Sequence, residues 1–246
     1  MKHVMLFGIS GGIGSAMLVE FLNRFKDITI YTPTREKQDL STYDLTNGQS
    51  IVHMDWDSND ESSFEAIAAH LKTSEIRLDF CVAALGALHS EDHKPEKKLG
   101  QITKDQMMWY YNVNAILHSI IIKHFSSLMN KNEPSIMGLL SARVGSISDN
   151  KLGGWYSYRA AKAALNMIIK TASIEMKRYN KQLSIIGIHP GTVDTNLSKP
   201  FQHHIPEQKL FTPAHSITSI FENIFLKITA EHSGNIYAYD GNQVPE

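Results

Sequence analysis

The chain of 246 residues lacks the features of a disulfide-bonded, nucleic-acid-binding or membrane protein. It contains a single cysteine, Cys81, so no disulfide can form within the chain. Lysine and arginine number 24 against 25 aspartates and glutamates, so the basic excess of a dedicated nucleic-acid-binding protein is missing. No apolar run approaches the length of about 20 residues that a membrane span requires.

A secretion signal is also missing from the amino terminus, and we therefore expect a cytoplasmic protein. The apolar run Val4–Phe7 is short and leads directly into glycines. A hydrophobic fraction of 42% and a charged fraction of 20% are ordinary for a globular protein. Because no linker rich in proline, glycine or serine divides the chain, we predict one domain over residues 1–246.

Short apolar runs alternate with segments whose apolar residues recur every three or four positions, which predicts alternating strands and helices. The predicted strands are His3–Phe7, Ile28–Tyr31, Ile51–Met54, Leu78–Ala84, Ser135–Leu140, Leu183–Ile188 and Asn235–Ala238. The predicted helical segments are Gly12–Phe25, Phe64–Leu71, Lys104–Met129, Tyr156–Tyr179 and Ile217–Ile228. This alternation indicates an α/β fold, a doubly wound parallel sheet of about seven strands with helices on both faces.

The first predicted strand ends in a glycine-rich turn, GISGGIG at residues 8–14, and the first helix follows at once. Glycine lets the backbone turn tightly and approach a ligand without an intervening Cβ. The N–H groups at the start of the helix favour a pyrophosphate. The spacing G-x-x-x-G-x-G differs from the G-x-G-x-x-G of most dinucleotide-binding folds. A glycine-rich turn without a ligand is the alternative interpretation.

A tyrosine and a lysine four residues apart, Tyr158 and Lys162, lie within the predicted helix Tyr156–Tyr179. Residues at this spacing project from one face of a helix, so the phenol and the ammonium can reach the same small volume. A cation near a phenol lowers the pKa of the tyrosine, which suits proton transfer to a carbonyl oxygen. Such a pair also occurs on solvated helix faces, but its place after the fifth strand favours a catalytic role.

The order and spacing of these motifs resemble the short-chain dehydrogenase/reductase family from the first strand to the last. The resemblance includes Asp55 after the third strand, Asn112-Val113-Asn114 and PGTVDT at residues 190–195. The segments SARVGSI at 141–147 and GGWYSYR at 153–159 are similar to the C-factor-like and sniffer-like branch.

That resemblance implies a single-domain Rossmann fold with strand order 3-2-1-4-5-6-7. It implies an enzyme that binds NAD(P)(H) and transfers a hydride between the nicotinamide and a small-molecule carbonyl or alcohol substrate. No metal, nucleic acid or membrane is expected to take part. A homodimer or homotetramer is expected through the two long helices, and the loops 90–100 and 195–212 are expected to shape the substrate site.

The same resemblance implies roles for individual residues. Tyr158 would be the general acid in reduction, and Lys162 would hold the nicotinamide ribose and lower the pKa of Tyr158. Asn114 would interrupt the long helix and hold a water of the proton relay, unless it is a buried asparagine that satisfies backbone groups. Asp55 would meet the adenine, unless it is a solvated strand end. Besides Tyr158 and Lys162, the expected cofactor contacts are Gly8, Ser10, Gly12, Ile13, Gly14, Arg35, Asp55, Trp56, Ala84, Gly86, Pro190, Gly191, Val193 and Thr195.

The chain departs from the family pattern at the catalytic serine. The family has Ser-Ser-x-x-Gly, whereas Gly145 here follows SARV, so the equivalent residue is Ala142. Of the neighbouring hydroxyls, Ser141 and Ser146, we expect that of Ser141 to replace the missing one. Because of this departure, a dinucleotide-binding signalling protein of the C-factor type with little or no turnover is the alternative function.

The end of the second strand favours NADP(H) over NAD(H). The family uses an acidic residue there to accept hydrogen bonds from the ribose hydroxyls, and this residue repels a 2′-phosphate. This chain has Thr34 at that position and Arg35 next to it. An arginine can bind a phosphate through two parallel hydrogen bonds. We therefore expect NADP(H) to be preferred, with NAD(H) possible.

Overall fold

The computed structural model describes the backbone of residues 1–246 and every side chain except those of His204 and Glu207. The strands are β1 (Lys2–Phe7), β2 (Ile28–Thr34), β3 (Gln49–Asp55), β4 (Phe80–Ala83), β5 (Ser135–Leu140), β6 (Leu183–His189), β7 (Thr192–Val193), β8 (Leu210–Phe211) and β9 (Ile236–Ala238). The α-helices are α1 (Gly12–Arg24), α2 (Glu61–Thr73), α3 (Lys104–Tyr111), α4 (Leu117–Phe125), α5 (Tyr156–Met176) and α6 (Pro213–Ile220).

Seven strands form one sheet in the order β3-β2-β1-β4-β5-β6-β9, and every neighbouring pair is parallel. The predicted doubly wound α/β fold and its strand order are thereby confirmed. The sequence analysis missed β7 and β8, which pair with each other outside this sheet and are each too short to show a pattern. The direction of strand addition reverses between β1 and β4. At such a switch point a crevice opens beyond the carboxyl ends of the strands.

The central strand β1 is buried on both faces. Met5 and Phe7 pack with apolar residues of α2, α4 and α5, whereas Val4 and Leu6 pack with those of α1 and α6. Alternate residues of a strand point to opposite faces, so this single short strand contributes to both halves of the core. The Phe7 ring lies edge-on to the ring of Phe125, with a centroid separation of 5.4 Å. The end of β1, where the glycine turn begins, is therefore held firmly in the core.

The long helix predicted over Lys104–Met129 is interrupted at its centre. A π-helical turn over Asn112–Ile116 separates α3 from α4, and a short 3₁₀ turn, Ser126–Leu128, follows α4. The side-chain amide of Asn114 donates a hydrogen bond of 3.1 Å to the carbonyl of Tyr110 within the same helix, so it competes with the backbone ladder. Single π-helical turns inside α-helices often occur at functional sites.

Side-chain caps determine where several helices begin. The capping hydrogen bonds run from Ser62 N–H to Asp60, from Gln106 N–H to Thr103 and from His215 N–H to Thr212. The helix predicted from Ile217 accordingly begins at Pro213, because Thr212 caps it and proline is favourable at the first position. In contrast, Gly11 before α1 and Trp155 before α5 make no side-chain capping bond.

The outer surface carries several large apolar side chains. Met108 on α3, together with Met167 and Ile174 on α5, is more than half exposed. The family resemblance places the interface of the predicted homodimer or homotetramer on these helices, and that assembly stays a prediction. Within the described part of the chain, each helix is too short or too polar to cross a membrane.

Candidate active site

Two adjoining cavities lie beyond the carboxyl ends of the strands. A small cavity of about 430 Å³ borders the ends of β1, β2 and β3. A large cavity of about 920 Å³ borders the glycine turn, the segment after β5, the start of α5 and the segment after β6. Ser10, Leu85 and Gly86 line both cavities, so together they form one groove across the switch point of the sheet. Such a groove suits an elongated ligand with two different ends.

The floor of the groove depends on two glycines of the turn after β1. Gly8 has a φ of +89°, and a Cβ at this position would collide with the carbonyl oxygen of Ala84, which follows β4. A Cβ on Gly14 in the first turn of α1 would collide with the carbonyl oxygen of Gly8. The chain therefore passes close to itself where the sheet reverses its order. Only glycine permits this approach, because any side chain would separate the turn from β4 or from α1.

Most residues predicted to contact a cofactor lie along this groove. Those on the small cavity are Gly8, Ser10, Arg35, Trp56 and Gly86. Those on the large cavity are Ser10, Gly12, Ile13, Gly14, Ala84, Gly86, Tyr158, Lys162, Pro190, Gly191, Val193 and Thr195. The structure thus brings together residues from six separate segments of the chain.

Asp55 is the exception among these residues. Its side chain is fully exposed, and one carboxylate oxygen lies 3.1 Å from Nε2 of His53. Asp55 is not among the residues that line the small cavity, whereas the adjacent Trp56 is buried and lines it. Asp55 is the exposed last residue of β3, which agrees with the solvated strand end that the sequence left open, and its contact with an adenine stays a prediction.

Tyr158 and Lys162 lie together in the first two turns of α5. Their exposed fractions are 7% and 2%, and Lys162 Nζ is 5.9 Å from the centre of the Tyr158 ring. The ammonium donates a hydrogen bond of 2.8 Å to the carbonyl of Leu140, at the end of β5. The two side chains therefore lie close together, as predicted. The hydrogen bond to Leu140 holds Lys162 against the end of the neighbouring strand.

Burial dominates the protonation of both groups. It raises the pKa of Tyr158 and lowers the pKa of Lys162 to about 7. The sequence analysis predicts that Lys162 lowers the pKa of Tyr158, and this role of Lys162 stays a prediction. Removal of the phenol from water acts in the opposite direction, because it disfavours the charged phenolate. The phenol is therefore protonated at neutral pH, and the neighbouring lysine can gain or lose a proton there.

Asn114 satisfies backbone groups and also faces the lysine. Its side chain accepts a hydrogen bond of 3.1 Å from the N–H of Ala87 and donates one of 2.9 Å to the carbonyl of the same residue. A Cβ added to Gly86 would lie 3.1 Å from Asn114 Oδ1 and 3.3 Å from Lys162 Nζ. Gly86 therefore leaves room between the amide oxygen and the ammonium. The hydrogen bonds to backbone groups are observed, and the proton-relay role of Asn114 stays a prediction.

Two histidines near the site, one buried and one partly buried, were missed by the sequence analysis. His118 is fully buried one turn after Asn114, and burial together with the charge of Lys162 holds its pKa well below the ordinary value. His189 lines the large cavity, and burial lowers its pKa to about 4. Both imidazoles are neutral at pH 7. The only available signal for His118 was its four-residue spacing from Asn114, and a lone histidine in an apolar helix usually belongs to the core.

Ser141 lines the large cavity, but its hydroxyl already has a partner in the structure. Its hydroxyl donates a hydrogen bond of 2.5 Å to Oδ1 of Asn166, one turn beyond Lys162 on α5. A serine hydroxyl has one proton to donate, so in this arrangement Ser141 does not polarise a substrate carbonyl. Ala142 instead packs against the apolar cluster that contains Tyr158. The position beside the tyrosine therefore presents a methyl group rather than a hydroxyl.

The wall of the large cavity is mostly apolar. The apolar side chains on its wall are those of Leu88, Val144, Leu152, Trp155, Leu197, Phe201 and Ile205. The last three belong to the predicted substrate loop 195–212, whereas loop 90–100 does not reach the cavity wall. Two arginines, Arg143 and Arg159, also line the cavity, and among the described side chains the wall carries no carboxylate. This wall suits an uncharged apolar or an anionic molecule better than a cation.

Comparison with known proteins agrees with this geometry. The chain matches the family model of the short chain dehydrogenases over residues 2–206. It therefore belongs to the short-chain dehydrogenase family. Members of this oxidoreductase family bind a nicotinamide dinucleotide and act on small-molecule carbonyl or alcohol substrates.

The relatives include members of the predicted branch. A 1-hydroxy-2-glutathionyl-2-methyl-3-butene dehydrogenase of Rhodococcus sp. (strain AD45) is 28% identical over 241 residues, 98% of each chain. The C-signal protein of Myxococcus xanthus is 30% identical over 147 residues, 60% of this chain and 82% of its own. The structure of carbonyl reductase Sniffer of D. melanogaster matches with a TM-score of 0.81 at 19% identity, over 100% of both chains. The predicted resemblance to this family, with C-factor-like and sniffer-like relatives, is confirmed.

The buried ammonium of Lys162 leads to a prediction about stability. The ordinary pKa of a lysine is 10.5, and in the folded protein that of Lys162 is about 7. Between these values the unfolded chain holds a proton that the folded chain has released, so stability rises with pH across this interval. We expect Lys162→Met to raise the free energy of unfolding at pH 7 and to remove part of its increase toward pH 9. Urea titrations at the two pH values, without cofactor, measure this difference.

The control is Lys181→Met, which removes an exposed lysine from a loop. It should leave both the stability and its pH dependence close to those of the unmodified protein. A Lys162→Met variant with the same increase between pH 7 and pH 9 as the unmodified protein would contradict the assignment.

Proposed function

We propose that this protein is an NADP(H)-dependent oxidoreductase that reduces apolar carbonyl compounds, or oxidises the corresponding alcohols, with Tyr158 as the general acid and base. The observation that carries the proposal is the burial of Tyr158 and Lys162 side by side on the wall of the large cavity. NAD(H) is the less favoured cofactor. The proposal involves no metal.

The residues of the groove fit a dinucleotide. Gly11 and Gly12 have no side chains over the N–H groups at the start of α1, and no side-chain cap occupies those groups. They would hold the pyrophosphate, since a helix N-terminus favours an anion. Arg35 in the small cavity would meet the 2′-phosphate, and Gly191 and Val193 in the large cavity would hold the nicotinamide. When bound, the cofactor supplies or accepts the hydride.

The protein's own groups then handle the proton. Tyr158 is protonated at neutral pH because burial raises its pKa, so it can donate its hydroxyl proton to a carbonyl oxygen as the alcohol forms. Lys162, with a pKa of about 7, can return a proton toward the tyrosine and be reprotonated in turn. Asn114, whose amide oxygen faces the lysine across Gly86, would orient the water on this path. The apolar wall excludes other water.

A signalling protein that binds the dinucleotide without turnover is the second candidate. The replacement of the serine by Ala142 and the similarity to the C-signal protein favour it. A panel of aldehydes, ketones and quinones, assayed with NADPH and with NADH, separates the two. Turnover of any apolar carbonyl supports the enzyme. Tight cofactor binding without turnover of any compound in the panel supports the signalling protein.

Replacing the tyrosine hydroxyl tests the proton transfer. In Tyr158→Phe we expect kcat to fall by about 10²–10⁴-fold, the usual contribution of general acid catalysis. The affinity for NADPH should stay nearly unchanged, because the ring and Lys162 remain. Steady-state kinetics and cofactor fluorescence measure the two quantities.

Tyr156→Phe is the matched control for this variant. Tyr156 lies two residues earlier, about 200° around the helix, and is exposed at 36%. Loss of the Tyr156 hydroxyl should leave kcat almost unchanged. If Tyr156→Phe abolished turnover while Tyr158→Phe kept it, the assignment of the site would be wrong.

Removal of the arginine beside the small cavity tests the cofactor preference. We expect Arg35→Ala to weaken NADPH binding by roughly 10- to 100-fold and to leave NADH binding little changed, because a charge-assisted hydrogen bond to phosphate is lost. Glu36 also lines this cavity and carries the opposite charge, so Glu36→Gln is the control and should not weaken NADPH binding. Equal losses for NADPH and NADH in Arg35→Ala would contradict the preference.

A gain of activity tests the role of the missing hydroxyl. In Ala142→Ser a donor is placed beside Tyr158, and we expect kcat to rise by about tenfold, below the ~10²–10³-fold that an optimally placed oxyanion donor contributes. In the control, Ser141→Ala, kcat should change little, since the Ser141 hydroxyl is bound to Asn166. If Ser141→Ala lost most of its activity, the hydroxyl of Ser141 would be the missing donor after all. Initial rates with one carbonyl substrate decide between these outcomes.

A further inference from the structure

The helix that carries Tyr158 begins without a cap of its own. Trp155 occupies the N-cap position of α5, has φ and ψ of 54° and 41°, and makes no side-chain capping bond. Left-handed backbone of this kind is unfavourable for a residue with a Cβ, so the surrounding structure must hold it in place. Gly153 and Gly154 before it also have positive φ, each of 65°. The turn that leads into α5 is therefore not stabilised by its own sequence.

Glu96, which lies 61 residues before Ser157 in the chain, supplies the missing cap. Its carboxylate accepts a hydrogen bond of 3.1 Å from the backbone N–H of Ser157 and a second one from the Ser157 hydroxyl. Its backbone carbonyl accepts a hydrogen bond of 2.5 Å from the N–H of Trp155. Glu96 is only 2% exposed. One residue thus satisfies three donors in the turn that precedes Tyr158.

The charge of Glu96 suits this position. A carboxylate at the N-terminus of a helix is favoured by the helix dipole, and α5 has 21 residues. Burial by itself raises the pKa of Glu96, but the hydrogen bonds from Ser157, Gln106 and the backbone outweigh it, so the pKa lies below its ordinary value. The carboxylate is therefore ionised at neutral pH and able to accept both bonds.

The segment around Glu96 connects two parts of the site. The N–H groups of Lys97 and Lys98 donate to the side chain of Gln101, just before α3, the helix that leads to Asn114. On the other side, the Tyr158 ring packs edge-on between those of Trp155 and Tyr110, at centroid separations of 6.2 and 6.0 Å. Movement of the turn at Trp155 would therefore move a ring that contacts Tyr158.

We propose that Glu96 is a positioning residue of the active site. By capping α5 from the loop 90–100, its carboxylate fixes the direction of the Tyr158 phenol and the place of the Trp155 ring on the cavity wall. Loop 90–100 thus acts on the site from behind the wall rather than by touching the substrate. This inference rests on the proposed function, since its effect on turnover is exerted through Tyr158.

The test compares Glu96→Ala and Glu96→Gln with Glu91→Ala, which removes an exposed carboxylate from the same loop. In Glu96→Ala we expect kcat for carbonyl reduction to fall by about 10- to 100-fold, since small misplacements of catalytic groups have effects of this size. NADPH affinity should change less than about twofold, because Glu96 lines neither of the two cavities. Glu96→Gln keeps one acceptor oxygen and should lose less, and Glu91→Ala should lose nothing. Circular dichroism establishes that each variant is folded at the assay temperature.

A double-variant cycle separates positioning from general stability. If Glu96 acts through Ser157, then adding Ser157→Ala to Glu96→Ala should cause little further loss of kcat. A lower melting temperature with unchanged kcat in both Glu96 variants would overturn the proposal. If Glu96→Ala failed to fold, the kcat and melting temperature of Glu96→Gln would decide instead, because glutamine has nearly the same shape as glutamate.

Hydrogen exchange gives a readout that does not need turnover. Backbone amides of residues 155–160 should exchange faster in Glu96→Gln than in the unmodified protein, while those of α1 should not change. Unchanged exchange rates at residues 155–160 would contradict the assignment of Glu96 as the cap of α5. If the unmodified protein turned over no carbonyl compound at all, the proposed function would fail. The exchange result would then still decide whether Glu96 holds the start of α5.

Discussion

The close approach of the backbone around Gly8 is the constraint on which the site depends. The turn after β1 passes against the carbonyl of Ala84 on one side and against Gly14 of α1 on the other. Because β1 is anchored on both faces of the core, the turn cannot move away to make room for a side chain. The start of α1 is consequently held at the crevice, where its N–H groups are free to bind an anion.

A second constraint is the desolvation of Tyr158 and Lys162. Inside the cavity wall, the phenol becomes a weaker acid and the ammonium a stronger one. The result is a protonated tyrosine beside a lysine that titrates near neutrality, which is the combination that the proposed proton transfer requires. The hydrogen bond from Lys162 to Leu140 anchors this pair to the end of β5, so the electrostatics of the site depend on the sheet as well as on the helix.

Most of the fold and many of the residues along the groove could be predicted from the sequence. The alternation of strands and helices, the glycine turn and the Tyr158–Lys162 pair follow from local patterns, because hydrophobic periodicity and helical spacing act over a few residues. The strand order was implied by the family resemblance. The structure also placed Arg35 and the segment 190–195 along the groove, as the family resemblance implies. Element ends were less predictable, and caps such as Thr212 explain why α6 begins before the predicted residue.

Other features were decided only by tertiary contacts. The partner of the Ser141 hydroxyl, Asn166, lies 25 residues away in the chain, and the exposure of Asp55 depends on its place at the end of β3. The direction of the Tyr158 pKa depended on how much water the fold removes, which a four-residue spacing does not encode. The amino-acid sequence by itself determined the strands, the glycine turn and the spacing that brings Tyr158 and Lys162 together. The tertiary structure alone decided which hydroxyl is available, which way the pKa moves and how Glu96 caps α5, because each is a property of groups distant in the chain and close in space.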